Sequence, residues 1–242
     1  MVQLIKDIQP RGIASAYVVA PFDEGKKLLE SNGYHIISAE ENAKLRIQEG
    51  ANADVSRNGN WVKEGFLYVP KKGKFLTKNS PIMDNSVEAT QAHRKGNEFY
   101  LTDAQVESGL ANSVKLQNKD FSIPTNRFGD DEVTAFAFGN FAKPYGNFLR
   151  EVGVKEMPVY MVDNIGDKPF VRQAWLYGLD FGSRLDGNLR NLSNDDRVRG
   201  VCEDASASEP MQKNLYTPTQ ISKALDELGF SGLKSGLLKK LS

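Results

Sequence analysis

This sequence predicts an α+β domain with a helical appendage at its C-terminal end, and three observations carry that reading. Capped helical stretches stand near the start of the chain. Short β-branched and aromatic runs, bounded by Gly, Pro, Asn and Asp, dominate later on. Long stretches between them have no hydrophobic period, as expected of a domain built around irregular loops. The composition is globular, with 40% apolar, 26% charged and 10% aromatic residues. The 242 residues suit one large domain, assigned to residues 1–205, plus an appendage over 206–242.

Taken in order, residues 13–19 predict a strand, being rich in Val, Tyr and Ala. Residues 23–31 predict a helix with Leu28 and Leu29 on one face and Asn32-Gly33 as its stop. A short strand follows at 34–37. Ser38 with Glu41 three residues later is a capping box, opening a helix that carries Ala43, Leu45 and Ile47 and stops at Gly50. Residues 61–69 and 74–76 predict strands joined through the turn Pro70-Lys71-Lys72-Gly73. Residues 99–101 predict a short strand, and Thr102 caps a helix over 104–110. Residues 132–138 are apolar and β-prone and predict a strand. Residues 144–152 predict a helix, and 158–162, 171–176 and 197–202 three more strands. In the appendage, Thr217-Pro218-Thr219 opens a helix whose stripe is Ile221, Leu225 and Leu228; Gly229 ends it, and residues 231–241 form a second helix of a hairpin.

Charge and chemistry exclude several function classes. Thirty-one basic residues balance 31 acidic ones, which argues against a general polyanion binder and leaves room for a local patch. Cys202 is the one cysteine, so no internal disulfide forms; it reads as buried rather than reactive. Met1 to Lys6 begins no signal-peptide pattern, and the apolar run 13–21 is too short to span a bilayer. Cytoplasmic synthesis is the expectation. His35 and His93 are the two histidines, and no Cys or His pair has metal-ligand spacing. The run Asp130-Asp131-Glu132 lacks the oxygen-ligand pattern of a calcium loop and reads as a capped loop. No cofactor is expected.

The segment 175–201, WLYGLDFGSRLDGNLRNLSNDDRVRGV, carries the most information. Trp175, Leu176, Leu179, Ser183, Leu185, Gly187, Arg190, Asn191, Leu192 and then Arg197-Val198-Arg199-Gly200-Val201 form a frame, with the apolar members expected in the core. Between them stand residues of mixed chemistry. From Leu176 to Cys202, 27 residues, there is no Lys, Glu, Gln, Met or Trp, although those types supply 51 of the 242; at that average the stretch would hold about five or six. Lys and Glu are common on solvated surfaces, so their exclusion is informative.

This frame and this exclusion resemble the variable region of the diversity-generating retroelement variable proteins, in particular the archaeal group with a C-type lectin-like fold. The resemblance implies an adenine-directed diversification of AAY codons, whose NNY products cannot encode Lys, Glu, Gln, Met or Trp. The resemblance is specific over roughly residues 170–201 and weaker upstream. By that frame the thirteen variable, ligand-binding positions are Tyr177, Gly178, Asp180, Phe181, Gly182, Arg184, Asp186, Asn188, Leu189, Ser193, Asn194, Asp195 and Asp196, all expected to point outward. Tyr177 and Phe181 would supply apolar anchor area, and Arg184 a bidentate donor to carboxylates. Arg197 and Arg199 share the face opposite Val198 and are expected to tie down loop groups, with Asp180 or Asp186 as partners. The family's fold is a small antiparallel sheet with long irregular loops. About forty residues follow the segment here, a departure from the many family members that end with it.

The function so implied is that of a binding protein, not an enzyme. It would present a hypervariable surface, without a membrane span, to a macromolecular ligand: a protein on a partner cell or virus. Surface display follows from the family's role. Formylglycine-generating enzymes share the broad fold, but their chemistry needs more than one thiol. The alternative is a nucleic-acid-associated protein using the appendage as a helix-turn-helix, with Lys234, Lys239 and Lys240 toward phosphates.

Overall fold

The computed structural model of the protein describes residues 2–6, 13–188 and 190–202. The chain divides into two units, Met1–Glu203 and Asp204–Ser242. The expected C-terminal hairpin and its lysines lie outside the described residues.

From the N-terminus the elements are β1 (Ile5–Lys6), β2 (Ala14–Ala20), α1 (Phe22–Glu30), β3 (His35–Ile36), α2 (Ala39–Glu49), α3 (Asp54–Arg57), β4 (Asn60–Val69) and β5 (Gly73–Thr77). They continue through α4 (Ser86–Arg94), β6 (Phe99–Tyr100), α5 (Asp103–Ala111), β7 (Ser113–Lys115), β8 (Phe121–Pro124), α6 (Glu132–Phe138) and α7 (Ala142–Glu151). The last are β9 (Glu156–Tyr160), β10 (Phe170–Leu176), β11 (Leu185–Asp186) and β12 (Asp196–Cys202). Helices and strands alternate along the whole unit, rather than helices preceding strands.

Among the described residues the strands form one 12-stranded sheet with the main order β1-β2-β12-β4-β10-β11-β9-β8. This corrects the expected small antiparallel sheet: β12 runs parallel to β4 and β11 parallel to β9. The axis is β4, buried along nearly its whole length. Its side chains alternate between two apolar cores, as a strand covered on both faces must. Val62, Phe66 and Tyr68 enter one core with Leu45 of α2, Phe138 of α6 and Leu149 of α7. Trp61, Leu67 and Val69 enter the other with Leu29 of α1, Ala89 of α4 and Val106 of α5. Trp61 is registered with Trp175 on β10 and with Val198 on β12, so both ends of the 175–198 stretch meet at one residue. The Trp61 ring meets Phe22 and Trp175 edge-on at 5.9 and 5.0 Å. Such aromatic pairs contribute about 0.5–1.5 kcal/mol each beyond their burial.

The expected capping box at Ser38–Glu41 forms, and the expected cap Thr102 forms a second box with Gln105, each with both reciprocal bonds. Residues 132–138, expected as a strand, are helical. The Asp131 carboxylate accepts the amides of Val133 and Thr134 at 3.0 Å, closing the helix start. Val133, Thr134, Ala137 and Phe138 are then buried at helical spacing, so packing overrides β propensity. Helix α4 was not foreseen; its N-cap, Asn85, makes no side-chain capping bond. Among the described residues no helix is long and apolar enough to cross a membrane.

Candidate ligand-binding face

The segment leaves the sheet at the end of β10 and turns through Leu179–Phe181, with Gly182 and Ser183 both in left-handed backbone at φ 69° and 53°. It returns as β11, pairing Leu176 with Leu185 and Trp175 with Asp186. On its other side β11 registers with Val159 and Tyr160 of β9. It then loops over 187–195 into β12. A two-residue strand paired on both edges is rigid for its length, because its backbone groups are committed to neighbours.

Beneath the turn lies Arg46, fully buried on α2. Its Nε donates to the Val55 carbonyl at 3.0 Å, and Nη1 to the hydroxyls of Tyr145 and Ser183 at 2.8 and 3.0 Å. Its Nη2 donates to the carbonyls of Tyr177 and Asn58 at 2.9 and 3.5 Å. All five guanidinium donors are thus engaged, which offsets much of the desolvation cost of a buried charge. One buried side chain fixes the turn's start, its end and the short helix α3 with its C-cap Asn58 together.

Above the turn is an open depression of about 440 Å³. Tyr177, Phe181, Arg184, Asp195 and Asp196 line it from the two ends of the segment, so five of the expected positions share one hollow. Arg57, Asn58 and Gly59, at the end of α3 and just before β4, supply another wall. Two guanidiniums lie against the Tyr177 ring. That of Arg184 lies 3.8 Å from its centroid and that of Arg190 5.1 Å, with Arg190 Nε also donating to the Tyr177 hydroxyl at 3.2 Å. Phe181, tilted against Tyr177 at 5.7 Å, is 62% exposed, the largest exposure of any large apolar side chain described. Arg190 also pairs with Asp196 at 2.7 Å. Burial raises the Asp196 carboxyl above its ordinary value, against the pull of Arg190.

The expected outward orientation holds at some positions and not at others. Asp180, Phe181, Asn194 and Asp195 are exposed; Gly182, Arg184, Asn188, Ser193 and Asp196 are half-buried; Leu189 lies outside the described residues. Tyr177, Gly178 and Asp186 are buried, which corrects the expectation for them. Tyr177 is covered by the stack just described. A side-chain carbon on Gly178 would stand 2.2 Å from the Arg57 carbonyl oxygen, so that position is closed. Asp186 lies within the doubly paired β11, where its carboxylate accepts the Asn188 amide at 2.7 Å and faces Arg184 at 3.6 Å. It shapes the loop after the strand. Gly182 differs from Gly178: an added carbon would meet nothing closer than 3.7 Å, and its left-handed backbone suits Gly or Asn.

Of the expected core residues, Trp175, Leu176, Leu185, Leu192, Val198 and Val201 are buried and Leu179 is half-buried. Cys202, expected buried, is half-buried. Where Asp180 or Asp186 was expected, Asp54 is a partner of both Arg197 and Arg199. Asp54 pairs with Arg197 at 3.1 Å and also with the buried Arg199. Arg199 further donates to Asn60 at 3.1 Å and Ser15 at 2.9 Å. Strand β12 sits between β2 and β4, and its Arg197 and Arg199 reach Asp54 at the start of α3. Arg46, Asp54 and Arg57 were missed by sequence reasoning. They lie more than a hundred positions from the segment, and no local pattern marks them.

His35 is exposed, 2.9 Å from Glu41. His93 is buried; its Nδ1 accepts the Leu192 amide at 3.2 Å, and burial lowers its pKa. It therefore holds the segment as a neutral acceptor. Among the described residues no group of three or more His, Cys, Asp or Glu is placed to hold a metal ion.

No family model and no curated protein matches the sequence. A solved structure does match: work on the accommodation of massive sequence variation in Nanoarchaeota by the C-type lectin fold. The identity is 15%, the coverage 81% of this chain and 99% of the other, and the TM-score 0.58. The described unit therefore has a C-type lectin-like fold, of α+β class with a mixed sheet.

Proposed function

We propose that this chain is a ligand-binding protein, not an enzyme, which carries a retroelement-diversified surface on its C-type lectin-like scaffold. One observation carries the reading: residues from both ends of the compositionally restricted segment converge on a single open depression. The exposed aromatic Phe181 and the guanidinium of Arg184 supply the anchor chemistry of a protein–protein contact. The scaffold beneath is committed through Arg46, so exchange at Phe181, Arg184 and Asp195 alters the hollow, exchange at the exposed Asp180 and Asn194 alters the surface next to it in sequence, and the fold stays in place. Tyr177, Gly178 and Asp186 hold the face in shape in this variant. The ligand is a macromolecule, a protein on a partner cell or virus.

The test is genomic. The reading expects a near-copy of the DNA encoding residues 175–201, differing only at adenines and lying beside a reverse transcriptase gene. A complete source genome lacking both would overturn the diversification. A binding selection on a library with NNY codons at the five exchangeable positions then tests recognition by itself.

A further inference from the structure

A second depression lies at the other end of β4. The candidate ligand face uses Asn58 and Gly59, just before the strand; this hollow uses Lys71, Lys72 and Gly73, just after it. Ten residues of strand separate the two by about 30 Å. The hollow has a volume of about 460 Å³, and Lys115, Gln117 and Asn118 complete its polar lining. The stem of Lys115 crosses close to Gly73, with its Cε 3.6 Å from where a side-chain carbon there would stand. That brings the ammonium-bearing arm at the end of β7 close to the turn that carries two others.

Two features distinguish this cluster, whose three lysines, Gln117 and Asn118 are all exposed. First, Lys71, Lys72 and Lys115 have no carboxylate at ion-pair distance among the described residues, although the chain as a whole is neutral. Like charges gathered around one hollow repel, and a bound anion relieves that repulsion. Second, the turn keeps a lysine where its geometry favours another residue. The Lys72 amide donates to the Val69 carbonyl at 3.1 Å, closing a turn with Pro70 second and Lys71 third, and Lys71 has φ 64°. A turn of that shape calls for Gly or Asn at the third place. A strained side chain at a loop tip points to a use for its chemistry.

We propose that this hollow is an anion site for multiply charged phosphoryl groups, independent of the ligand face. Three ammonium groups supply point charges for phosphate oxygens, and the amides of Gln117 and Asn118 supply directional donors. Such a site at the opposite end of the sheet would hold the protein on a phosphate-bearing support while leaving the other depression open.

The test titrates inorganic tripolyphosphate into the full chain by calorimetry, at low and at physiological salt. Binding that weakens as salt rises is expected. The combined variant Lys71→Asn, Lys72→Gln, Lys115→Gln should weaken it at least about tenfold. Lys71→Asn alone should raise the melting temperature while weakening binding, a pair of signs that a merely structural lysine would not give. Sedimentation with phosphatidylglycerol vesicles, against phosphatidylcholine controls, separates the sources. Vesicle binding displaced by tripolyphosphate supports the proposal with a lipid headgroup as ligand. Tripolyphosphate binding without vesicle binding supports it with a soluble or polymeric phosphate. No binding of either probe overturns it. So does undiminished binding by the folded triple variant, or vesicle binding that tripolyphosphate does not displace.

Discussion

Arg46 donates to the Ser183 hydroxyl at 3.0 Å across 137 positions of sequence, inside the protein and directly under the turn that carries Phe181. Tyr145 Oη lies 2.6 Å from the same hydroxyl, so a helix-borne cation and a helix-borne phenol share the one small side chain of the turn. Ser183 adopts a left-handed backbone, costly for a residue other than glycine. Those two bonds stabilise it there.

Arg46→Ala should therefore destabilise the unit by about 3 kcal/mol or more, since it strands buried acceptors and opens a cavity. Urea denaturation measures this. Hydrogen exchange at the amides of the turn should rise beyond the global change, because the Tyr177 carbonyl and the Ser183 hydroxyl lose their common donor.

Gly178 and Phe181 stand three positions apart and should respond oppositely to mutation. Gly178→Ala forces a carbon against the Arg57 backbone and should cost about 1–3 kcal/mol. Phe181→Ala removes an exposed ring and should change stability by less than about 0.5 kcal/mol. Paired thermal melts decide. A large loss at Phe181 would show that its ring supports the fold.

Asp54→Ala should destabilise by about 1–3 kcal/mol, because it removes a carboxylate that Arg197 and the buried Arg199 share. Asp54→Asn, which keeps the shape and an acceptor oxygen, should recover part of the loss. Denaturation of the two variants side by side is the measurement.

Glu64 gives the fold a pH dependence. It is fully buried, one carboxylate oxygen accepts the Ala39 amide at 2.8 Å, and burial pushes its pKa up to about 7. Its unfolded value is lower, so between the two the folded state holds the proton more tightly. The resulting stability is complete below about pH 4.5 and is lost as pH rises through about 7. Across that window the Glu64 contribution should fall by up to about 3 kcal/mol. Glu64→Gln, whose amide oxygen can still accept from Ala39, should remove this slope and be the more stable form at pH 8. An unchanged slope in denaturation midpoints would assign the dependence elsewhere.

How much of this was legible in the sequence depends on the range of the interactions. Ser38–Glu41 announces its helix because a capping box is complete within four residues, and Thr102 announces the next as an N-cap. The Pro70–Gly73 turn is legible for the same reason. Residues 132–138 misled because their apolar run fits either period, and the helix α2 they pack against lies far back in the sequence. The frame of the segment showed which residues are core at Trp175, Leu185 and Val198. It could not show that Asp186 would be enclosed between two neighbouring strands, nor that Arg57 would line the same hollow as Arg184.

Trp61 touches the register of both strands that bound the segment. The intervening chain is thus a lasso drawn closed at its base, and the closure belongs to the sheet, not to the lasso. Lengthening it by a few residues between Ser193 and Asp195 would enlarge the noose without moving its knot. The added closure entropy is only about 0.6 kcal/mol per doubling of length. This architecture can therefore be reshaped by insertion as well as by exchange, a freedom that a face spread over separate strands would lack.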